Sequence, residues 1–550
     1  MKKIIARHYE SKEYIYPIAI NKIHVKLEVI SGKVNNVKIK FWKRFAEDKI
    51  ASVTMENFSY DSNSPYFEAV IEIHEQSRYL HYYFVLETDN SNLYLSRDGL
   101  NSQIPTRFFE FQYVNKSDVI ETPEWIKGRI GYQIFVDRFN RVYVDEKGMD
   151  LLDWDSEPTR ENIFGGNLRG VTAKLDYLKN LGISLIVFMP IFSATSNHKY
   201  DTLDYFKIDS NYGSNTDFKE LVDKAHSLDI KIVLDGVFNH MGYYSKEFQD
   251  ALMNGKNSKY YSWFNFNSED LSNYLAVGDY KWMPKLNYES EDLCDHVIKI
   301  GKYWIENYNI DGWRLDVFDE VEERFRNRFS SEIKRGNKET FLISETWHDG
   351  YELLASHQVH SVMNYLLRND IIDYFIDQNI SSSDFINKLN WLKFRYPKPL
   401  QSAMYNLLGS HDTIRIATRS KNNPHRLMLA YAFLFFSAGL PVIYYGDEVG
   451  MTGEVDPGCR KSMEWDKVGN DFYREIKKLI EIRNNNETIK FGDIKYLRIN
   501  DLIGFVRNYK NKKILILFNT LDIDKEVSLE EFQVDNKHLV EKHSYSIIEI

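Results

Sequence analysis

The stretch "DGWRLDVFDE", residues 311–320, decides how the rest of the chain is read. Gly312 to Leu315 has the character of a buried strand, yet Arg314 and Asp316 stand two positions apart and so, at period two, on one face. A surface salt bridge at a helix start is one explanation. A carboxylate kept ionised for chemistry by a guanidinium is the other.

The neighbouring segments repeat one pattern. "IGYQIFVDRF" reads as a strand, and "VTAKLDYLKNLG" as an amphipathic helix with Leu175, Leu178 and Leu181 in helical spacing before Gly182. "SLIVFMP" is a second strand, "DFKELVDKAHSLD" a helix, and "IKIVLDGVFNH" a third strand. "IDGWRLD", "TFLISET", "VHSVMNY", "MYNLLGSHD" and "PVIYYGDE" complete eight strands. Continuous apolar strands alternating with helices predict a parallel sheet, and eight such units close into a (β/α)8 TIM barrel. The stretch from His240 to about Cys294, rich in Tyr, Asn and Ser, is too long for a connection and reads as a domain inserted after strand three.

Residues 1–122 alternate like strands ("KIHVKLEVI", "LHYYFVLET") and predict an N-terminal β-sandwich. "ETPEWIKG" punctuates the boundary, so the barrel is expected over 123–485, with its insertion at about 240–294. A C-terminal β-sandwich is expected over 486–550, from "LIGFVRNY", "KILILFNT" and "YSIIEI".

Net charge is −10 with both signs scattered, which argues against nucleic acid or an anionic membrane as partner. Aromatic residues make up 15% of the chain, and Tyr and Trp suit the flat faces of sugars. Two cysteines, Cys294 and Cys459, support neither a disulfide framework nor a metal motif. The apolar start breaks at Arg7 and His8 before any secretory core forms, so a cytoplasmic location is expected. Residues 427–445 carry no charge over 19 positions, but Gly439 and Pro441 divide them into a buried helix and a strand rather than a membrane span.

Polar residues gather where the strands end: "NHKYD", "DGVFNH", "WRLD", "SETWHD", "GSHD", "YYGDE". Singly, Asp235 reads as well as a helix cap, His240 and His411 as core histidines, Glu345 as a salt-bridge partner and Asp412 as an N-cap. Together they crowd one mouth of a closed barrel, the C-terminal face where active sites of this architecture lie. Paired carboxylates suit glycosidic bond cleavage, one ionised and one protonated. Arg314 is expected to lower the pKa of Asp316, and a partly desolvated setting beside Trp347 to raise that of Glu345.

At "DGVFNH", "GWRLD", "SETWHD" and "LLGSHD", in this order, the chain resembles the α-amylase family, glycoside hydrolase family 13. "MPKLN" (283–287), Glu320, "FGGNLRGV" and "GDEVGMTGEVDPGCRKSMEWD" are similar to its neopullulanase, cyclomaltodextrinase and maltogenic amylase branch. The resemblance implies hydrolysis of cyclodextrins, pullulan, starch or maltooligosaccharides. It implies Asp316 as nucleophile, Glu345 as general acid/base and Asp412 as the supporting carboxylate, with Arg314 orienting Asp316. Substrate-binding roles follow for His198, Tyr200, His240, His411, Trp347, Asp456 and Arg460, and a structural one for Asp235. It further implies a carbohydrate-binding-module-like N-terminal domain that builds a homodimer.

"VDRFNRVYVD" lacks the carboxylates with which many relatives hold calcium, and Asn167 replaces a common aspartate; no cofactor or metal is therefore expected, and the calcium site is absent or weak. Phe318, Asp319 and Ile414 also depart from the usual pattern and bear on substrate preference. Three other readings are weighed: a non-catalytic binding barrel, which would have lost the acids; a metal-dependent hydrolase on His198, His240 and His411, which would want a His-x-His pair on strand one; and a mainly glucosyl-transferring or α-1,6-directed member of the same family.

Overall fold

Apolar runs of four residues, buried on both faces, form the centre of the computed structural model, which describes residues 3–59, 65–142, 151–267, 270–421, 423–532 and 537–550. The chain divides into two compact units. One comprises Pro123–Asp377 and Ser402–Phe491; the other comprises Met1–Thr122, Gln378–Gln401 and Gly492–Ile550.

The first unit is a parallel eight-stranded barrel. Its strands in chain order are Gly131–Ile134, Leu185–Phe188, Lys231–Gly236, Gly312–Leu315, Phe341–Ser344, Ser361–Val362, Tyr405–Leu407 and Leu440–Tyr444. Each pairs with its sequence neighbour except six with seven, and the last pairs with the first. Between strands six and seven only the bridge Met363–Tyr405 closes the circle. Side chains reinforce that seam: Tyr405 N–H donates to Ser361 Oγ (2.8 Å), and Asn364 Nδ2 donates to Asn406 Oδ1 (3.0 Å). Val187, Val233, Phe341, Ile343, Leu407 and Val442 pack with their neighbours into one buried cluster, so the interior is a filled core.

Helices follow the signals in the sequence. Helix Leu175–Leu181 buries Leu175, Leu178 and Leu181 and stops at Gly182, whose φ of 96° suits a residue without Cβ. Helix Asn215–Ser227 opens on a capping box between Ser214 and Asp217. The charge-free stretch forms helix Pro424–Phe436 and then barrel strand eight, and no helix among the described residues is long and apolar enough to cross a membrane. After strand three the insertion supplies helix Lys246–Asn254 and the hairpin Ala276–Val277 with Tyr280–Pro284.

The second unit holds two antiparallel sheets of five and six strands, built from residues before Thr122 around an apolar core that includes Val25, Leu27, Ile39, Tyr82 and Phe84. Its C-terminal part is a four-stranded antiparallel sheet, from Asp493–Ile499 to Ser544–Glu549, with the hairpin Lys525–Ser528 and Lys537–Val540. A parallel barrel in the middle of the chain, with antiparallel strands before and after it in sequence, is the fold class the sequence predicts.

Candidate active site

Strand four ends at Leu315, and the ladder continues one step further: Asp316 N–H donates to Gly236 O (3.1 Å) and Glu345 N–H to Leu315 O (2.9 Å). These bonds hold the ends of strands three, four and five together, and their side chains converge. Arg314 is fully buried. Its Nη1 donates to both oxygens of Asp235 (2.9 and 2.8 Å) and to Asp316 Oδ1 (2.9 Å). Its Nη2 lies 2.8 Å from Glu345 Oε2, within ion-pair range. One guanidinium therefore serves three buried carboxylates.

Val317 contributes to this arrangement. It is β-branched yet sits at φ 42° and ψ 42°, in the left-handed region such residues avoid. That turn aims its N–H at Glu345 Oε2 (3.2 Å). Strain of this kind persists where the surroundings enforce it, and it concentrates at functional sites.

The electrostatics differ from the sequence expectation. Burial, then the charge of Glu345, pushes the Asp316 carboxyl well above its ordinary value, with Arg314 opposing. Asp235 is pushed up to about 6, again by burial against Arg314. The expected lowering of Asp316 is thus corrected: a cation divided among three anions does not offset complete desolvation. Asp412 differs. Burial opposes it, but His411 and Arg460 hold its carboxyl well below the usual range.

Ten of the eleven predicted site residues line one cleft of about 680 Å³: His198, Tyr200, His240, Asp316, Glu345, Trp347, His411, Asp412, Asp456 and Arg460. Arg314 lies beneath it. Tyr200 Oη bonds His411 Nε2 (2.7 Å) and donates to Asp235 (3.2 Å), its ring stacked on His411. His411 Nε2 also lies 2.9 Å from Asp412, and Arg460 pairs with Asp412 and Asp456, each at 3.0 Å. His240 Nε2 donates to Tyr200 O (3.1 Å), and burial lowers both His240 and His198 to about 4, leaving each neutral at pH 7. Trp347 is 49% exposed and stacks on Tyr365 at 4.2 Å.

The departures in the sequence now have places. Asp319 accepts from Thr346 Oγ1 (2.9 Å) and lies 3.2 Å from His348 Nε2, so it braces the loop that carries Trp347. Phe318 is buried edge-on against Phe329. Glu320 meets Lys285 of "MPKLN" at 3.1 Å. Nothing in the structure explains Ile414. Asn167 caps a helix through Oδ1, accepting from Gly170 N–H, while its amide hydrogens go to Val142 O and Gly165 O. An amide donating to neighbouring carbonyls does not suit a hard cation, which needs those oxygens. Residues 143–150 of the calcium comparison lie outside those described, and no cluster of three His, Cys, Asp or Glu able to hold a metal occurs among the described residues.

Cleft residues that sequence reasoning missed include Arg160, Tyr280 and Trp282. Arg160 lies 3.5 Å from Asp456. The one available signal was the aromatic pair two positions apart just before "MPKLN".

A parallel eight-stranded barrel with this carboxylate set at its C-terminal mouth, in a chain that also holds antiparallel strand-rich domains, is that of a glycoside hydrolase. Residues 133–492 match the description "Alpha amylase, catalytic domain" and residues 1–115 "Alpha amylase, N-terminal ig-like domain". The chain belongs to the α-amylase family, in its cyclomaltodextrinase, maltogenic amylase and neopullulanase branch. It is 35% identical over 544 residues to a cyclomaltodextrinase of Thermoanaerobacter pseudethanolicus, covering 96% of this chain and 94% of that one. It is 34% identical over 540 residues to the intracellular maltogenic amylase of Bacillus subtilis, covering 93% and 90%. A solved cyclomaltodextrinase structure superposes with a TM-score of 0.89 at 33% identity, covering 95% of this chain and 92% of the other.

Proposed function

We propose that this enzyme is a retaining α-glucan hydrolase that cleaves α-1,4 glucosidic bonds of cyclodextrins, pullulan, starch or maltooligosaccharides and also transfers glucosyl units to sugar acceptors. The observation that carries the reading is the contact of Asp316 and Glu345 with one Arg314 at adjacent strand ends. In the first step the Asp316 carboxylate attacks the anomeric carbon. The bond to the glycosidic oxygen breaks, and Glu345 gives its proton to that oxygen, leaving a covalent glucosyl ester. For this step Glu345 carries the proton and Asp316 is ionised. Water then attacks the same carbon, Glu345 takes its proton, and Asp316 leaves. Asp412, held ionised by His411 and Arg460, accepts hydrogen bonds from sugar hydroxyls and opposes the positive charge that develops on the ring.

Support for the substrate class comes from the relatives named cyclomaltodextrinase and maltogenic amylase. Half-exposed Trp347 favours a share of transfer, because it offers an acceptor sugar an apolar face beside Glu345. The Asn167 amide, which donates to Val142 O and Gly165 O, supports activity without calcium. A cytoplasmic location agrees with the intracellular relative, and a homodimer through the N-terminal sandwich completes the reading. The test is incubation with β-cyclodextrin, pullulan and soluble starch separately, with products identified over time and their initial anomeric form read by NMR. Maltose or panose with α-configuration is expected. Glucose released only from isomaltose-type substrates, or β-configured product, refutes it.

A further inference from the structure

Between His198 and Tyr200, both walls of the cleft, stands a lysine that does not line it. Lys199 is 2% exposed and sits at φ 64°, in the left-handed region that residues with a Cβ avoid. Its Nζ lies 3.0 Å from Asp209 Oδ2, an ion pair buried at both ends, and 5.2 Å from the centre of the Tyr212 ring. Taking an ammonium out of water is unfavourable, and one carboxylate offsets that only in part. Glycine would fit the same backbone without strain and without a charge to bury.

Asp209 is a fixed anchor. It follows strand Thr202–Ile208 and accepts from Ala194 N–H at Oδ2 and from Asn211 N–H at Oδ1, each at 3.0 Å, so it ties that strand to its partner Phe192–Ala194. Tyr212 Oη donates to Asn197 O (3.0 Å) just before the histidine. The backbone of Lys199 closes the turn: its N–H donates to Ser196 Oγ (3.0 Å), and its carbonyl accepts from Thr202 Oγ1 (3.2 Å). With residue 199 left-handed, Tyr200 N–H reaches His198 Nδ1 (3.1 Å), which puts the hydrogen of the neutral imidazole on Nε2. The same turn carries the Tyr200 hydroxyl to His411 and Asp235, at 2.7 and 3.2 Å. A change of φ at residue 199 would swing both neighbours, one on each side of it.

We propose that Lys199 is a positioning residue: its ion pair with Asp209 enforces the left-handed turn that holds His198 and Tyr200 at their places in the cleft. The inference rests on the hydrolase reading and adds a residue that acts through two others. Glycine separates this role from plain stabilisation, because it adopts φ 64° without enforcement. Lys199→Met and Lys199→Gly both leave Asp209 buried without its cation, so both should lower the urea midpoint. Activity should part them. At a temperature where both are folded, Lys199→Met is expected to lower kcat/KM on β-cyclodextrin about 30-fold, and Lys199→Gly to recover most of that loss. Equal losses in the two variants, or a Lys199→Met enzyme within about threefold of the parent, overturns the proposal. Should Lys199→Met not fold, Asp209→Asn takes its place, and adding Lys199→Gly to it should restore activity; no restoration overturns the proposal. An unaltered chain that leaves β-cyclodextrin, pullulan and starch intact overturns the hydrolase reading instead. Hydrogen exchange over residues 195–202 without substrate then still decides the turn. It should be about tenfold faster in Lys199→Met and closer to the parent in Lys199→Gly, and unchanged exchange in Lys199→Met overturns the enforced turn.

Discussion

Replacing Arg314 by Met removes the single cation among Asp235, Asp316 and Glu345, all buried and all within 2.9 Å of it. Breaking a buried ion pair from one side costs roughly 3–5 kcal/mol. With three anions left behind, the upper end of that range is expected at pH 8. Protonation then offers relief, and its sign can be worked out. A carboxyl whose folded value is raised binds more protons folded than unfolded, so stability falls as pH rises through that value. For Asp235 in the unaltered protein the window runs from the ordinary 3.8 to about 6: its contribution is fully present below the first and lost above the second. Without Arg314 the carboxyls rise further and the window moves upward. The stability gap between variant and parent should therefore be widest at pH 8 and narrow by about half or more at pH 5. Urea midpoints measured from pH 5 to 8 on both proteins read it directly. A gap independent of pH, or one below about 1 kcal/mol at pH 8, refutes the claim that this guanidinium serves three buried anions.

Glu345→Gln should cut kcat on β-cyclodextrin by about 10²–10⁴. It should still give a burst of fluoride from α-maltosyl fluoride, whose leaving group needs no proton; loss of the burst counts against the acid role. Trp347→Ala, at a half-exposed position, should shift stability by no more than about 1 kcal/mol. The ratio of transfer to hydrolysis products should fall severalfold, and an unchanged ratio removes Trp347 from the acceptor side. Exhaustive chelation should move the melting midpoint by less than about 1 °C, whereas a bound ion would contribute by mass action. A larger drop, reversed by calcium, would restore a metal site.

Much of the barrel was legible because each strand is a short apolar run ending in polar residues, as in "IVLDG" and "FLISE". A doubly buried strand leaves that trace whatever its neighbours are. The convergence of Asp235, Asp316, Glu345 and Asp412 was legible for the same reason, since strand ends of a closed barrel must meet. What the sequence did not reveal depends on distances through space. Arg314 is two residues from Asp316, but its contact with Glu345 arises only from the pairing of strands four and five. The rise of the Asp316 pKa needs the depth of burial, which no local pattern states. The left-handed turn at Val317 runs against its own residue preference, so it is visible only once the fold enforces it. Segment Gln378–Gln401 lies between barrel strands in the chain but groups with the second unit, a placement that reading along the sequence assigns to the barrel.

The seam between strands six and seven determines where this barrel breathes. Strand six spans two residues, and beyond the Met363–Tyr405 bridge the wall there is held by the hydroxyl of Ser361 and the amide of Asn364. Local opening takes the least work where backbone pairing is thinnest. Parting at this seam would displace the end of strand seven, and with it Ser410 to Asp412, while strands three to five keep Asp235, Arg314, Asp316 and Glu345 in register. On the function proposed above, the nucleophile and acid stand on strands away from the seam and Asp412 stands beside it, the two groups joined through Tyr200, which bonds both His411 and Asp235. Opening at the seam would then shift Asp412 more than Asp316 and Glu345, so the hold on product would loosen before the alignment of the other two carboxylates is lost.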